Sequence, residues 1–154
     1  ALTFTEFGAG SGGGAGQPVT VVKLADQTVN NSETLVDDDD IFVALAANRR
    51  YYYLCRLIFE STSFADLDVV FTAPTGASGN HRRDTNTTTA QAYGQGGTLP
   101  GSNGVTRQGW DTGYVATGAT AGNLQLQWAQ TTAEVSDTKV LIGTVLLLFD
   151  LGAV

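Results

Sequence analysis

Apolar and polar positions alternate along most of this chain, and the alternation predicts strands. In YYYLCRLIFE (51–60), Tyr51, Tyr53, Cys55, Leu57 and Phe59 share one face; Tyr52, Leu54, Arg56, Ile58 and Glu60 share the other. The aromatic enrichment favours strand over helix. NLQLQWAQ (123–130) alternates too, with Leu124, Leu126 and Trp128 inward and Gln125, Gln127 and Gln130 mostly outward. VTVVKLAD (19–26), IFVALAA (41–47) and ADLDVVFTAP (65–74) add strands, with turn chemistry at NNSE (30–33) and closure at Pro74 and Gly76. KVLIGTVLLLFDL (139–151) is apolar on both faces and must be covered on both, by the core on one side and a subunit interface on the other. Residues 75–122 are rich in Gly, Thr, Asn and Gln. A structureless loop that long is unusual in a compact domain, so TTTAQAY (87–93) and TGYVATG (112–118) are expected to contribute strands. No stretch has a convincing helical period; LVDDDDIFVAL could be forced into one only with aspartates in its interior. Roughly seven to nine strands separated by turn signals predict an all-β fold, an antiparallel β-sandwich of jelly-roll or related Greek-key type.

The N-terminus breaks this pattern. LTFTEF (2–7) is a short alternating segment, followed by the Gly-rich arm GAGSGGGAG (8–16), a flexible linker by composition. Nine such residues reach roughly 15–18 Å. The chain therefore divides into a tag plus arm (1–18) and a sandwich domain (19–154). Leu2, Phe4 and Phe7 of the tag need an apolar site, which the arm allows to lie on another molecule. They are the candidate partner-binding residues.

Composition narrows the function. With 154 residues the chain can bury one real core. Charged residues are only 15 %, against about a quarter in ordinary globular chains. The net charge of −7 disfavours nucleic-acid binding, since an acidic surface repels phosphate backbones. One cysteine, Cys55, forms no internal disulfide and reads as a small buried hydrophobe. No segment resembles a signal peptide, and the longest apolar stretch, 140–149, is half a membrane span, so a soluble chain without membrane insertion is expected.

The densest chemistry is VDDDDIF (36–42). A calcium loop supplies oxygens at alternate positions, with a glycine at the turn and a late glutamate. Asp37 and Asp39 have the alternation, but Ile41 follows and the glycine is missing. Strand alternation also throws Asp37 and Asp39 opposite to Asp38 and Asp40, so the run is expected to be a solvated turn and strand entrance; a weak calcium site completed from elsewhere is the alternative. Glu60, Asp66, Asp68 and Glu134 are too scattered to be paired as glycosidase carboxylates. Gly8, Gly10 and Gly13 match G-x-G-x-x-G, but more glycine and Pro18 follow where a dinucleotide site needs a helix. His81, in NHRRD (80–84), has no nucleophile-elbow serine to serve, and Arg82 and Arg83 are expected in solvent or against an acidic neighbour. One histidine and one cysteine build no ordinary zinc site. The chain is thus expected to be no enzyme and to hold no cofactor. Trp128 and at least one tyrosine of 51–53 belong to the core. Trp110 and Tyr114 are placed in a possible recognition loop, with a glycan as the ligand that aromatic rings would stack on. Asn30 and Asn86 match glycosylation acceptors by coincidence.

The order TLVDDDDIFVALAANRRYYYLCRLIF (34–59), ADLDVVFTAPTGA (65–77), LQLQWAQTT (124–132) and VLIGTVLLLF (140–149) resembles a group of tailed-bacteriophage virion proteins. These are small β-sandwich modules of head decoration, head-fibre, tail-fibre and minor tail type. The pattern comprises a threonine-leucine pair, an acidic run, a strand, an alanine-asparagine turn and an aromatic strand. An alanine-aspartate-leucine strand ending in Pro-x-Gly and a Trp-Ala-Gln strand complete it. The likeness covers residues 20–77 and 123–150, but not 78–122 or the arm. It implies a structural or adhesive protein, commonly a homotrimer, with no catalytic residues. The expectation is a capsid decoration protein, made in the host bacterial cytoplasm and placed on the outer surface of the virion, whose partners are its own copies and the major capsid protein or another virion protein. A tail-fibre or tail-tip module binding a host-surface receptor or glycan is the alternative.

Overall fold

A computed structural model describes residues 17–83, 91–92 and 94–154. The tag residues Leu2, Phe4 and Phe7 therefore lie outside the described residues. Twelve strands follow in chain order. They are β1 (Val19–Val22), β2 (Gln27–Val29), β3 (Val36–Leu45), β4 (Arg49–Glu60), β5 (Leu67–Thr72) and β6 (Ser78–Arg83), then β7 (Gln91–Ala92), β8 (Gly97–Leu99), β9 (Arg107–Ala116), β10 (Gly122–Gln130), β11 (Thr138–Val140) and β12 (Val145–Ala153). Among the described residues there is no helix.

All the strand pairings are antiparallel. The larger sheet runs β1-β12-β4-β9-β6-β7, with β11 bridging β4 and β2; the smaller runs β3-β10-β5-β8. With β2, β6, β7 and β11 set aside as additions, the eight remaining strands give sheet orders first–eighth–third–sixth and second–seventh–fourth–fifth. That is the jelly-roll arrangement of two interleaved Greek keys.

The alternation explains the layers. Tyr51, Tyr53, Cys55, Leu57 and Phe59 of β4 point inward, where they meet Leu124, Leu126 and Trp128 of β10 and Ile41, Val43 and Leu45 of β3 in one core. The Tyr53 and Phe71 rings pack across it, with centroids 4.9 Å apart at 51°. The turn from β3 to β4 needs a left-handed residue, supplied by Asn48 at φ 54°. The apolar C-terminal run is two strands rather than one. Gly143 at φ 85° breaks it, and the turn holds the chain opposite: Lys23 N donates to Thr144 O at 2.8 Å and Gly143 N to Lys23 O at 3.1 Å.

Several expectations need correction. β2, β6 and β8 carry little apolar signal and owe their pairing to neighbours that already offer an edge. The strand expected at 112–118 begins earlier, at Arg107. Gln130 shares the parity of Trp128 and is buried, its amide bonded to Ser32, Glu134, Ser136 and Thr138. Arg82 in solvent and Arg83 against an acidic neighbour, Asp111, by contrast agree with expectation, though Arg83 is buried.

Candidate functional site

Three groups of side chains carry the polar chemistry. The first is built on the aspartate run, which lies wholly inside β3 rather than before it. Pairing with β10 jumps from Phe42↔Gln125 to Asp37↔Gln127, so residues 38–41 face Leu126 alone. Such a bulge re-aims side chains and leaves backbone groups to be satisfied. Asp38 turns into the core, where it is 1 % exposed. Its Oδ1 accepts from Ile41 N at 2.9 Å, Asp40 N at 3.1 Å and Lys23 Nζ at 2.9 Å; its Oδ2 accepts from Trp128 Nε1 at 3.2 Å. Gln125 Nε2 closes the bulge by donating to Asp38 O at 2.9 Å.

The four aspartates therefore diverge, but not into a uniformly solvated run. Asp37 accepts from Gln127 Nε2 at 2.7 Å, and Asp40 from Leu24 N at 3.1 Å. Asp39 is exposed, and among the described residues none donates a hydrogen bond to its carboxylate. Among the described residues no three His, Cys, Asp or Glu side chains come together to hold a metal ion.

The second group is centred on Asp111, whose position in β9 puts its side chain inside the sandwich. Oδ1 accepts from Tyr53 Oη at 2.7 Å. Oδ2 accepts from Arg83 Nε at 2.9 Å and lies 3.2 Å from His81 Nδ1. Arg83 Nη2 stands 2.8 Å from the same oxygen. Gly113 makes room for this: a Cβ there would lie 2.5 Å from the Tyr53 ring. Cys55, the cross-strand partner of Asp111, is held as a thiol well above its ordinary pKa, first by burial and then by the Asp111 and Asp38 carboxylates. His81 thus serves an internal ion cluster.

The third group is the outer face of the larger sheet. Cross-strand partners align Phe149, Tyr52, Tyr114 and Asn80 in one row, then Thr20, Leu147, Leu54, Thr112 and Arg82, then Val22, Val145, Arg56 and Trp110. Trp110 is 39 % and Tyr52 41 % exposed. Trp110 and Tyr114 therefore sit on a sheet face, not in a loop: the glycines around them belong to a strand whose inward positions need small residues. Arg56 lies between Val145 and Trp110, and its Nε is buried without a hydrogen-bond partner. Among the described residues in the rows of this sheet's outer face the one carboxylate is Glu60, at its end, where it accepts from Thr106 Oγ1 at 2.7 Å and stands opposite Lys139.

The smaller sheet contrasts with it. Outward along β10 stand Asn123, Gln125 and Gln127, beside Thr72 and Asp37 on the flanking strands, with Phe42 the one exposed large apolar side chain. One outer face is composed for water and the other is not. Arg56 and Tyr52 were legible as outward positions from the alternation of 51–60; their union with Trp110 and Tyr114 required the register.

The chain matches no protein-family model, no curated protein and no solved structure. Function must be argued from these three groups.

Proposed function

We propose that this chain is a structural protein of a tailed-phage virion surface, a capsid decoration protein that self-associates, most simply as a homotrimer, and docks on the shell through its N-terminal tag. The observation that carries the reading is the contrast between the two outer faces. A jelly roll meant to stand alone has no use for Tyr52, Leu54, Leu147, Phe149 and Trp110 on the outside of one sheet while the other presents glutamines. Aromatic residues with arginine are the composition of interface centres. The reading is also supported by what the charged groups do: Asp38, Asp111, Lys23 and Arg83 are engaged with each other or with Tyr53 and Trp128, which is architectural work. The virion context rests on the resemblance of the ordered motifs to those of phage virion modules.

In this reading the protein acts passively. Copies associate through the apolar face, and three linked tags multiply a weak contact with shell subunits by effective concentration. Deleting residues 1–16 tests the docking step. Binding to empty shells, read by co-sedimentation, is expected to fall at least tenfold; undiminished binding refutes the role of Leu2, Phe4 and Phe7. Hundreds of copies per purified virion, read from a stained gel, are expected for decoration.

The exposed ring of Trp110 favours one second reading, a tail-fibre or tail-tip module whose aromatic face stacks on host-surface glycan. There the copy number would be a handful, and glycan-array binding would disappear in Trp110→Ala.

A further inference from the structure

The outer face of the larger sheet carries a charge without a counterpart. Arg56 is half-buried among Val145, Trp110 and Leu54, and its Nε has no acceptor. Burying a guanidinium further, under any covering molecule, is costly unless that molecule brings an acceptor. Arg82, two strands away on the same face, is exposed. Among the described residues the face itself offers Glu60, at its far end, engaged with Thr106 and opposite Lys139.

A two-fold contact centred on this face would lay it against itself. Arg56 and Arg82 of both copies would then enter one layer nearly devoid of carboxylates, and both Arg56 guanidinia would stay unpaired. The contact must instead be heterologous, this face against a different surface of the next copy. The chain's surplus of acids, 15 against 8 basic residues, supplies such a surface. One site matches in both charge and polarity. Asp39 projects from the β3 bulge, exposed and accepting no hydrogen bond from the described residues, while Asp37, Asp38 and Asp40 are each engaged. The next residue, Asp40, accepts from the backbone N–H of Leu24, whose side chain is 74 % exposed. A free carboxylate with an exposed leucine tied to the following residue is complementary to a free guanidinium flanked by valine and tryptophan.

We propose that copies of this chain associate head to tail, the Arg56–Trp110 face of one receiving the Asp39–Leu24 corner of the next, so that the ring closes at three or more copies. This deepens the self-association proposed above and rests on it. The bulge then has a second consequence: the same register break that sends Asp38 into the core leaves Asp39 outside, free to meet a neighbour.

Sedimentation equilibrium of the full chain, with Arg56→Glu, Asp39→Arg and the double variant carrying both, tests it. The wild type is expected at three or more times the monomer mass. Each single variant is expected to weaken association at least tenfold while its far-UV circular dichroism is unchanged. The double variant should restore association, because each interface takes one residue from each of two copies and the reversed pair is again opposite in sign. Asp39→Arg lies at the exposed bulge of β3, so it keeps the test open if Arg56→Glu does not fold. A wild-type dimer, or association indifferent to Asp39→Arg, overturns the head-to-tail pairing while leaving self-association standing. A wild type that stays monomeric overturns both, and shell co-sedimentation reports separately on the virion role.

Discussion

Replacing Asp38 by asparagine changes no volume but removes the counter-charge of Lys23 from the interior. The two side chains are fully buried and 2.9 Å apart. An asparagine oxygen still accepts from Ile41 N and Asp40 N, so the bulge keeps its backbone partners, but the amide nitrogen then faces the Trp128 indole N–H, donor against donor. Lys23 retains only Gln27 Oε1 at 3.3 Å and Asp40 at 3.8 Å. Breaking a buried ion pair from one side costs roughly 3–5 kcal/mol. With Asp40 partly compensating, the low end applies, about 3 kcal/mol, or roughly 6–12 °C in Tm for a domain of this size. Lys23→Met should cost a similar amount by stranding the carboxylate. The two together should cost much less than their sum, with a coupling of about 2 kcal/mol, because no uncompensated charge remains. Urea unfolding followed by tryptophan fluorescence measures all four proteins, since Trp128 sits in the cluster. Protein concentration must be held fixed, because self-association adds to apparent stability. The penalty should persist in high salt, as buried pairs are poorly screened. An Asp38→Asn variant within about 1 kcal/mol of wild type, or a coupling of zero, would refute the claim that this pair holds the bulge.

Gly113→Ala drives a methyl group to 2.5 Å from the Tyr53 ring, and displacing that ring disturbs its bond to Asp111; a loss of about 1–3 kcal/mol in urea unfolding is expected, and a neutral result would mean the strand yields freely. Cys55 is expected to resist thiol reagents in the folded protein and to react at once in denaturant, as read by absorbance of the released chromophore. Because its folded pKa is raised, its contribution to stability is fully present below the ordinary value of 9.0 and falls as pH rises above it, where only the unfolded thiol ionises. That adds a slope of up to about 1.4 kcal/mol per pH unit, which Cys55→Ala should remove from the alkaline limb of the stability profile. Arg49, raised by its hydrogen bond and charge contact with Asp150, belongs to an exposed pair, so Arg49→Gln should leave the thermal midpoint unchanged at physiological salt.

Strand periodicity made most of the sandwich legible in advance. In β4 and β10 every second residue had to be buried, and that constraint survives any detail of pairing. What failed did so where polar residues enter the interior. Gln130 and Asp38 look like surface by type, and only the register reveals that each meets its partners inside. The parity of Gln130 with Trp128 was a usable signal. For Asp38 no local signal existed, because the bulge that turns it inward depends on Lys23, held by the Gly143 turn more than a hundred residues away. The recognition surface was half legible: Trp110 and Tyr114 were visible as aromatic candidates, but the glycines around them suggested a loop instead of a strand packed under Tyr53 and Leu99.

The two buried ion clusters bear on the proposed interface through rigidity. One lies in β3 of the smaller sheet and is reached by Lys23, immediately after β1; the other lies in β9 and joins β4 to β6 in the larger. Directional bonds of this kind punish a slip in register, since a one-residue shift would strand each carboxylate. They therefore hold the rows of the outer face in place: Arg56 stays level with Trp110 and Val145 because Tyr53 is tied to Asp111 and Lys23 to Asp38. A flat association surface needs that constancy, because ordering loose side chains at the moment of contact subtracts from affinity. Loosening Asp111 should consequently weaken association more than it lowers stability, an effect that hydrophobic burial alone would not produce. Comparing Asp111→Asn with a simple core truncation of equal destabilisation, Leu124→Ala in the opposite sheet, separates the two. Equal losses of association in the two variants would dispose of the link between interior charge and exterior surface.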